Sequence, residues 1–160
     1  MDTPQTGNQR PVRSTRRLIR ITLLGIVAIL LAVFIAIQFA PVQRTNPPVI
    51  SEPKWDSPTT RALAVRACFD CHSNETIWPW YAYVAPVSWL IARDVNAGRQ
   101  RLNFSEWNAG RKRLANVMSR IIISGEMPPA NYLIMHADAA LSAEEKKALV
   151  EGLAKTLAQS

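Results

Sequence analysis

An uncharged apolar run near the N-terminus constrains the fold of this 160-residue chain more than any other feature. Residues 21–42 carry no formal charge, and residues 21–40 are nearly all Ile, Leu, Val, Ala and Phe. A helix of this length measures about 30 Å, the thickness of the hydrocarbon core of a bilayer. Buried helices of soluble proteins are rarely apolar on every face over such a length. The run therefore predicts a single transmembrane helix over residues 21–42.

Basic residues lie mostly before this run. Residues 1–20 hold five arginines and one aspartate, whereas only Arg44 follows closely. The positive-inside rule predicts a cytoplasmic basic tail over residues 1–20 and places the C-terminal part outside the membrane. A cleaved signal peptide is the competing interpretation, but the run exceeds an ordinary h-region, and Gln38 and Pro41 do not suit a cleavage site. We expect a retained anchor in the cytoplasmic (inner) membrane, with the following domain periplasmic or otherwise extracytoplasmic.

Prolines punctuate residues 43–57, where apolar periodicity is weak, and this predicts a stiff, extended linker. Such a linker could lift a domain up to about 50 Å from the membrane. The soluble domain is expected over residues 58–160. The net charge is +7, but residues 45–160 hold 13 basic and 11 acidic side chains, or only +2. The positive charge is thus mostly a signal of topology, and we expect no nucleic-acid partner.

Proline marks the start of two predicted helices. Ser57 followed by Pro58 is typical of an N-cap with proline at the first helical position, for a helix that runs towards Cys71. Pro86 has the same expected role for a helix that Gly98 ends.

Two further helices are predicted in the C-terminal half. One follows Ser105 and closes at Gly125. Its apolar stripe has helical spacing and consists of Leu114, Val117, Met118, Ile121 and Ile122. Ser142 and Glu145 form a capping box for the last helix. No segment alternates with period two, so the expected fold class is all-α. The remaining segments are expected to be irregular loops: residues 73–85 and residues 126–141.

Both cysteines of the chain lie in one short pattern, Cys68-Phe69-Asp70-Cys71-His72. C-x-x-C-H spacing is typical of covalent c-type haem attachment. Two thiols one helical turn apart reach the two vinyl groups of one porphyrin and become thioethers, and the adjacent histidine falls under the iron as proximal ligand. The predicted side of the membrane agrees, because c-type haem is attached outside the cytoplasm. One covalently bound haem c is therefore the expected cofactor.

Three other interpretations of this pattern compete. A structural zinc site needs four ligands, whereas the chain holds only two cysteines and two histidines, and consecutive ligands at Cys71 and His72 suit a tetrahedron poorly. A redox-active thiol pair would be expected within a βαβ pattern, which the sequence lacks. Chance is the third. Haem attachment accounts best for the spacing.

The second axial ligand must come from a segment that folds back over the haem. Met127 follows a predicted helix end, and the two prolines after it discourage a helix and present the thioether from a rigid loop. His136 is the alternative distal ligand, Met135 is a minor candidate, and an open or water-ligated position is a further alternative. Met118 is expected in the core. A methionine opposite the histidine would raise the reduction potential.

Aromatic residues cluster just after the motif. Trp78, Trp80, Tyr81 and Trp89 supply the apolar walls that a flat macrocycle needs, and we expect them to line the haem pocket, with ordinary core packing as the alternative. Basic side chains are frequent over residues 93–120. They are interpreted as a solvated helix face, with propionate pairing, docking to an acidic redox partner and lipid head groups as alternatives.

Several stretches together resemble a known family. They are residues 68–74, 76–81, 84–90, 94–95, 98–99, 102–107 and 125–129, Tyr132, and the last helix from Leu141-Ser142. Over residues 46–158 the chain is similar to the bacterial haem-binding domain family of monohaem c-type proteins. This resemblance implies a small, cytochrome c-like helical fold around one haem.

The combined pattern predicts a membrane-anchored monohaem c-type cytochrome that transfers single electrons to or from a redox partner protein, as a carrier rather than an enzyme. The alternative is a haem-based peroxidase-like or gas- or redox-sensing module with an open or displaceable sixth ligand. A thiol redox domain without haem is the third function considered.

Overall fold

A computed structural model describes residues 12–107 and 114–159. Within these ranges all regular secondary structure is helical, which confirms the predicted all-α class. The helices are α1 Val12–Gln38, α2 Pro58–Ala67, α3 Phe69–His72, α4 Val87–Arg101, α5 Leu114–Ile123, α6 Ala130–Leu133 and α7 Ala143–Ala158. Short 3₁₀ turns occur at Trp80–Tyr83 and Ala137–Ala139.

The chain divides after Pro41 into two compact units. The first contains α1, which includes a stretch, Thr15–Gln38, that is long and apolar enough to cross a membrane, with a mean hydropathy of 2.8 over an 18-residue window. This helix begins at Val12, before the predicted residue 21, and ends at Gln38, short of Pro41. Length and composition thus agree with an anchor, while the membrane location stays a prediction.

The second unit begins with residues that were predicted to form a spacer. Residues 43–57 are extended, as expected, but they are hydrogen-bonded to the rest of the unit. The amides of Ile50 and Ser51 donate to the Ser105 carbonyl at 2.9 and 3.1 Å, and the Trp107 amide donates to the Ser51 carbonyl at 3.0 Å. The expectation of a free spacer is wrong for this segment, because an extended backbone leaves donors and acceptors that pair with a neighbouring loop.

Local capping signals predict two helix starts correctly. The Ser57 hydroxyl accepts a hydrogen bond from the Thr60 amide at 3.1 Å, and Pro58 is the first residue of α2. At α7 the Ser142 hydroxyl accepts from the Glu145 amide at 3.1 Å, while the Glu145 carboxylate accepts from the Ser142 amide at 2.9 Å. Both pairs satisfy amides that have no partner within their helix.

The helix boundaries around the cysteine motif differ from the prediction. The first predicted helix does not reach Cys71 continuously, because α2 ends at Ala67 and α3 starts anew after Cys68. Pro86 lies at the N-cap of α4 rather than at its first position, and α4 continues past Gly98. A Cβ atom at Gly98 would overlap the carbonyl oxygen of Cys71. Glycine therefore permits α4 to cross the motif closely and does not end the helix.

The stripe of α5 is confirmed in part, since Met118 and Ile122 are buried in the core. Gly125 follows α5 with φ +78°, the left-handed conformation that commonly ends helices, as predicted. The helix was expected to follow Ser105 directly, but Glu106 and Trp107 are not helical, because Glu106 pairs with Ser51 in an isolated bridge. Residues 108–113 lie outside the described residues. Ser105 itself is buried, and its hydroxyl accepts from the Asn74 amide at 2.9 Å.

Four aromatic rings form the centre of the core. We call them the aromatic core stack: Trp55, Phe69, Phe104 and Trp107. Phe104 contacts the other three, with ring centroids 5.3 Å from Trp55, 5.4 Å from Phe69 and 6.0 Å from Trp107. Aliphatic side chains of α2, α5 and α7 complete the cluster. Phe69 belongs to α3, so the core fixes one side of the helix that carries the motif.

Candidate functional site

The motif lies on α3, at the edge of the core. Cys68 immediately precedes this helix, and Cys71 and His72 are its last two residues. Phe69 is only 4% exposed, whereas the two cysteines and His72 are partly exposed. The helix is thus anchored through Phe69 and leaves two thiols and one imidazole within reach of a ligand.

The His72 ring is held in one orientation by the end of α4. Its Nδ1 lies 3.0 Å from the carbonyl oxygen of Leu102. A carbonyl oxygen only accepts hydrogen bonds, so Nδ1 carries the proton and Nε2 keeps a lone pair. Burial lowers the pKa of His72 and favours the neutral imidazole. A neutral ring whose Nδ1–H is bonded to a backbone carbonyl is the form in which histidine binds metals.

The two cysteines are free thiols. Burial raises the pKa of Cys68 to about 12 and that of Cys71 to about 11. Thiols that attack disulfides or bind zinc are activated by a lowered pKa, so these values give no support to a redox pair. Among residues 12–107 and 114–159, no group of three or more His, Cys, Asp or Glu side chains could hold a metal ion. A zinc site therefore has no support in these ranges.

Met127 lies in a turn directly after α5. Its amide donates to the Ile121 carbonyl at 3.1 Å, Pro128 is buried, and Pro129 is the N-cap of α6. The turn has the constrained backbone that the prolines predict, and the Met127 side chain is partly buried. Its assignment as the distal ligand stays a prediction.

His136, the alternative distal ligand, is enclosed by two tyrosines. Its Nδ1 lies 3.1 Å from the Tyr132 carbonyl oxygen, and its Nε2 lies 3.3 Å from the Tyr81 hydroxyl. The His136 ring also stacks on the Tyr132 ring, with centroids 4.0 Å apart and planes 10° from parallel. Its Nδ1 bond resembles that of His72, whereas iron binding through Nε2 would displace the Tyr81 hydroxyl. The choice between Met127 and His136 stays a prediction. Met135, the minor candidate, is 59% exposed.

Asp70, between the two cysteines, is a functional candidate that the sequence did not indicate. Its Oδ1 accepts from the Ile77 amide at 2.9 Å, and its Oδ2 accepts from the Tyr132 hydroxyl at 2.6 Å. Its backbone carbonyl accepts from the Thr76 hydroxyl at 2.7 Å. This residue joins the motif to the loop after it and to α6. Nothing in the spacing of the motif could have revealed these partners.

Arg99 departs from the predicted solvated face. Its guanidinium donates to the carbonyl oxygens of Ser73 and Thr45, both at 2.8 Å, to Asn46 Oδ1 at 3.1 Å and to Thr76 Oγ1 at 2.9 Å. The side chain therefore joins the loop after the motif to the extended segment before α2.

The other basic residues over 93–120 are mixed. Arg93 agrees with the prediction of a solvated face, because its side chain is 71% exposed beside Asp94. The basic residues 111–113 lie outside the described residues.

The four aromatic residues predicted to line a haem pocket do not gather into one buried cluster. Trp80 and Trp89 are 74% and 40% exposed, whereas Trp78 and Tyr81 are partly buried. Trp80 and Tyr81 make one edge contact, at 5.6 Å between centroids. The aromatic rings that pack together are those of the aromatic core stack, in which Phe69 and Phe104 are buried and Trp55 and Trp107 are partly buried. Local density did not reveal this set, because it spans residues 55–107. The pocket role of the four residues stays a prediction.

Comparison with known proteins gives one match. A family model described as a haem-binding domain matches residues 32–155. No curated protein sequence and no solved structure matches the chain. The matched range contains the whole motif, including Asp70 and its hydrogen-bond partners, and also the Met127 turn and His136.

Proposed function

The chain belongs to the haem-binding domain family, and from that premise we propose that it is a membrane-anchored monohaem c-type cytochrome that transfers single electrons outside the cytoplasmic membrane. The observation that carries the proposal is the geometry of the motif. Nδ1 of His72 is bonded to the Leu102 carbonyl, and the free thiols of Cys71 and Cys68 lie one and four residues before this ring, at the two ends of α3.

The residues present fit a covalently attached haem. Cys68 and Cys71 supply the thiols for two thioether bonds, which form by adding S–H across vinyl groups and leave sulfur uncharged. This suits partly buried sulfur atoms whose ionisation burial opposes. His72 Nε2 supplies the proximal ligand, and the Leu102 carbonyl increases the basicity of the ring. When bound, haem supplies an iron that exchanges one electron between ferric and ferrous states.

A fixed distal ligand is the second part of the proposal. Met127 Sδ is the proposed donor, because the turn is held by Ile121 and by two prolines, whereas binding through Nε2 of His136 would displace the Tyr81 hydroxyl. A ligand pair that stays in place suits electron transfer, since coordination need not change between oxidation states. A redox partner protein is implied, and its identity lies outside the proposal.

The location rests on α1. Its length and apolar composition suit a single span, and the arginines that precede residue 21 favour a cytoplasmic N-terminus. Under this topology the motif lies on the side of the membrane where c-type haem is attached.

The test uses the full-length protein, purified in detergent after expression with c-type haem maturation. We expect haem to stay with the polypeptide on a denaturing gel and the ferric spectrum to show the weak far-red band of a methionine–iron bond. Met127→Ala should abolish this band, whereas the matched variant His136→Ala should keep it. Haem lost on the gel would contradict c-type attachment. A high-spin ferric spectrum that shifts with peroxide, or a ferrous form that binds carbon monoxide, would instead favour the sensor or peroxidase-like alternative.

A further inference from the structure

One hydrogen bond joins the motif helix α3 to α6, the short helix that follows the Met127 turn. The Tyr132 hydroxyl donates to Asp70 Oδ2 at 2.6 Å. A neutral donor on a carboxylate at this distance forms a charge-assisted hydrogen bond, which is stronger than a neutral one. Burial, followed by the hydrogen bond to Asp70, raises the pKa of Tyr132, so the phenol remains the donor at neutral pH.

Neither partner of this bond is free to swing away. The other oxygen of Asp70 accepts from the Ile77 amide at 2.9 Å. The Tyr132 ring is stacked on His136 at 4.0 Å between centroids, and His136 is in turn held by the Tyr81 hydroxyl. The bond is therefore one element of a supported junction and not an isolated surface contact.

Tyr132 is closely coupled to Met127 through the backbone. Pro128 and Pro129 separate Met127 from α6, and each fixes its own φ angle. The Tyr132 amide also donates to the Pro129 carbonyl at 3.0 Å. On its other side, Met127 is fixed by the bond between its amide and the Ile121 carbonyl.

From this arrangement we propose that Tyr132, through Asp70, is the positioning residue for the distal ligand Met127. The inference rests on the proposed function, since it takes Met127 as the iron ligand. α5 holds the turn from one side, and α3 holds it from the other through the Asp70–Tyr132 bond. The residue between the two cysteines thereby links the proximal side of the site to the distal side. Loss of the bond removes the link between this turn and α3, so that a competing ligand displaces Met127 more readily.

The experiment uses Tyr132→Phe in the full-length protein, with Tyr83→Phe as the matched control. Tyr83 is 59% exposed and its ring lies under the Arg44 guanidinium, so the control removes the hydroxyl of a tyrosine outside the junction. The readouts are the far-red methionine–iron band of the ferric protein and its affinity for added imidazole. For Tyr132→Phe we expect a weaker band and about 10- to 100-fold tighter imidazole binding, the range that corresponds to one hydrogen bond to a charged group. Tyr83→Phe should match the wild type in both.

A second variant guards against a folding defect. Asp70→Asn has one acceptor oxygen for the two donors Ile77 and Tyr132 and loses the charge, so the junction is weakened but not removed. Its imidazole affinity should lie between those of the wild type and Tyr132→Phe. Haem staining and helical circular dichroism show whether each variant is folded and loaded. If Tyr132→Phe and Asp70→Asn both keep the methionine–iron band and the imidazole affinity of the wild type, the positioning role is overturned and the proposed function stays intact. Absence of the methionine band in the wild type would overturn the proposed distal ligand, and the positioning role with it.

Discussion

The two sides of α3 are held in place by different kinds of interaction. On one side Phe69 is 4% exposed and packs into the aromatic core stack, 5.4 Å from Phe104 between centroids. On the other side its neighbour Asp70 accepts hydrogen bonds from Ile77 and Tyr132. The single turn of α3 thus has one face stabilised by apolar burial and another stabilised by a few polar contacts.

This difference assigns separate tasks to the two sides. The apolar side accounts for most of the stability, because burial of large side chains contributes in proportion to area. The polar side fixes the loops that carry the candidate ligands, and each of its bonds contributes only about 0.5–3 kcal/mol net. Loops held in this way open at a lower free energy than the core. The site can therefore be altered by substitutions that leave the fold intact.

The largest expected effect comes from breaking the apolar side. Phe104 is 0% exposed and touches every other ring of the aromatic core stack. Phe104→Ala should lower the free energy of unfolding by about 3–5 kcal/mol, through lost burial and the cavity left behind. Urea denaturation of the full-length protein in detergent, followed by circular dichroism, measures the change.

The matched control is Trp80→Ala, which removes an even larger ring that is 74% exposed. It should change the free energy of unfolding by no more than about 0.5 kcal/mol. Equal losses in the two variants would mean that the aromatic core stack is not the dominant source of stability.

A smaller effect is expected from breaking the polar side. Arg99 donates four hydrogen bonds that join the loop after the motif to residues 45–46. Arg99→Ala should cost about 1–3 kcal/mol, the range for hydrogen bonds to a charged group. The loss should also be local, so that hydrogen–deuterium exchange rises over residues 73–76 and stays unchanged in α7.

Arg93→Ala is the control for this prediction. Its ion pair with Asp94 is exposed, and such pairs contribute about 0.2–1 kcal/mol. If exchange over residues 73–76 is the same in both variants, Arg99 does not hold the loop.

The same contrast explains what could be predicted from the sequence. The caps at Ser57 and Ser142, the apolar stripe of α5 and the cysteine motif depend on residues a few positions apart, so their spacing carries the signal. The partners of Asp70 and Arg99 lie up to 62 and 54 positions away. Nothing in the local pattern of either residue predicts such contacts, since they exist only once the chain has folded.

Glycine can either end a helix or allow another element to approach it closely, and Gly98 shows that the sequence alone does not distinguish these roles. A glycine near the end of an amphipathic segment commonly stops a helix, and this was the prediction. In the fold it lies inside α4, where the helix passes against the Cys71 carbonyl. The choice between the two roles depends on which helix crosses α4, and that information is absent from the sequence around it.

The smallest expected effect concerns the bonds between Glu52, in the extended segment before α2, and Arg61 of α2. The Arg61 guanidinium donates to Glu52 at 2.8 and 2.9 Å and, as the main cause, lowers the pKa of Glu52 below its usual 4.5. A lowered carboxyl pKa contributes stability that is present above the unfolded-state pKa and is lost as the pH falls through the folded-state pKa. Glu52→Gln should therefore be less stable than the wild type by at most about 1 kcal/mol at neutral pH.

This difference should shrink as the pH falls well below 4.5, because the wild-type carboxylate then becomes protonated and resembles the variant. Urea denaturation at a series of pH values measures it. Arg61→Gln removes the partner of Glu52. Its free energy of unfolding should therefore also depend less on pH in the acid range than that of the wild type. If Glu52→Gln is less stable than the wild type by the same amount from neutral to acid pH, then the shape of the Glu52 side chain, and not its charge, attaches this segment to α2. The polar contacts would then contribute even less to stability than the comparison of the two sides of α3 implies.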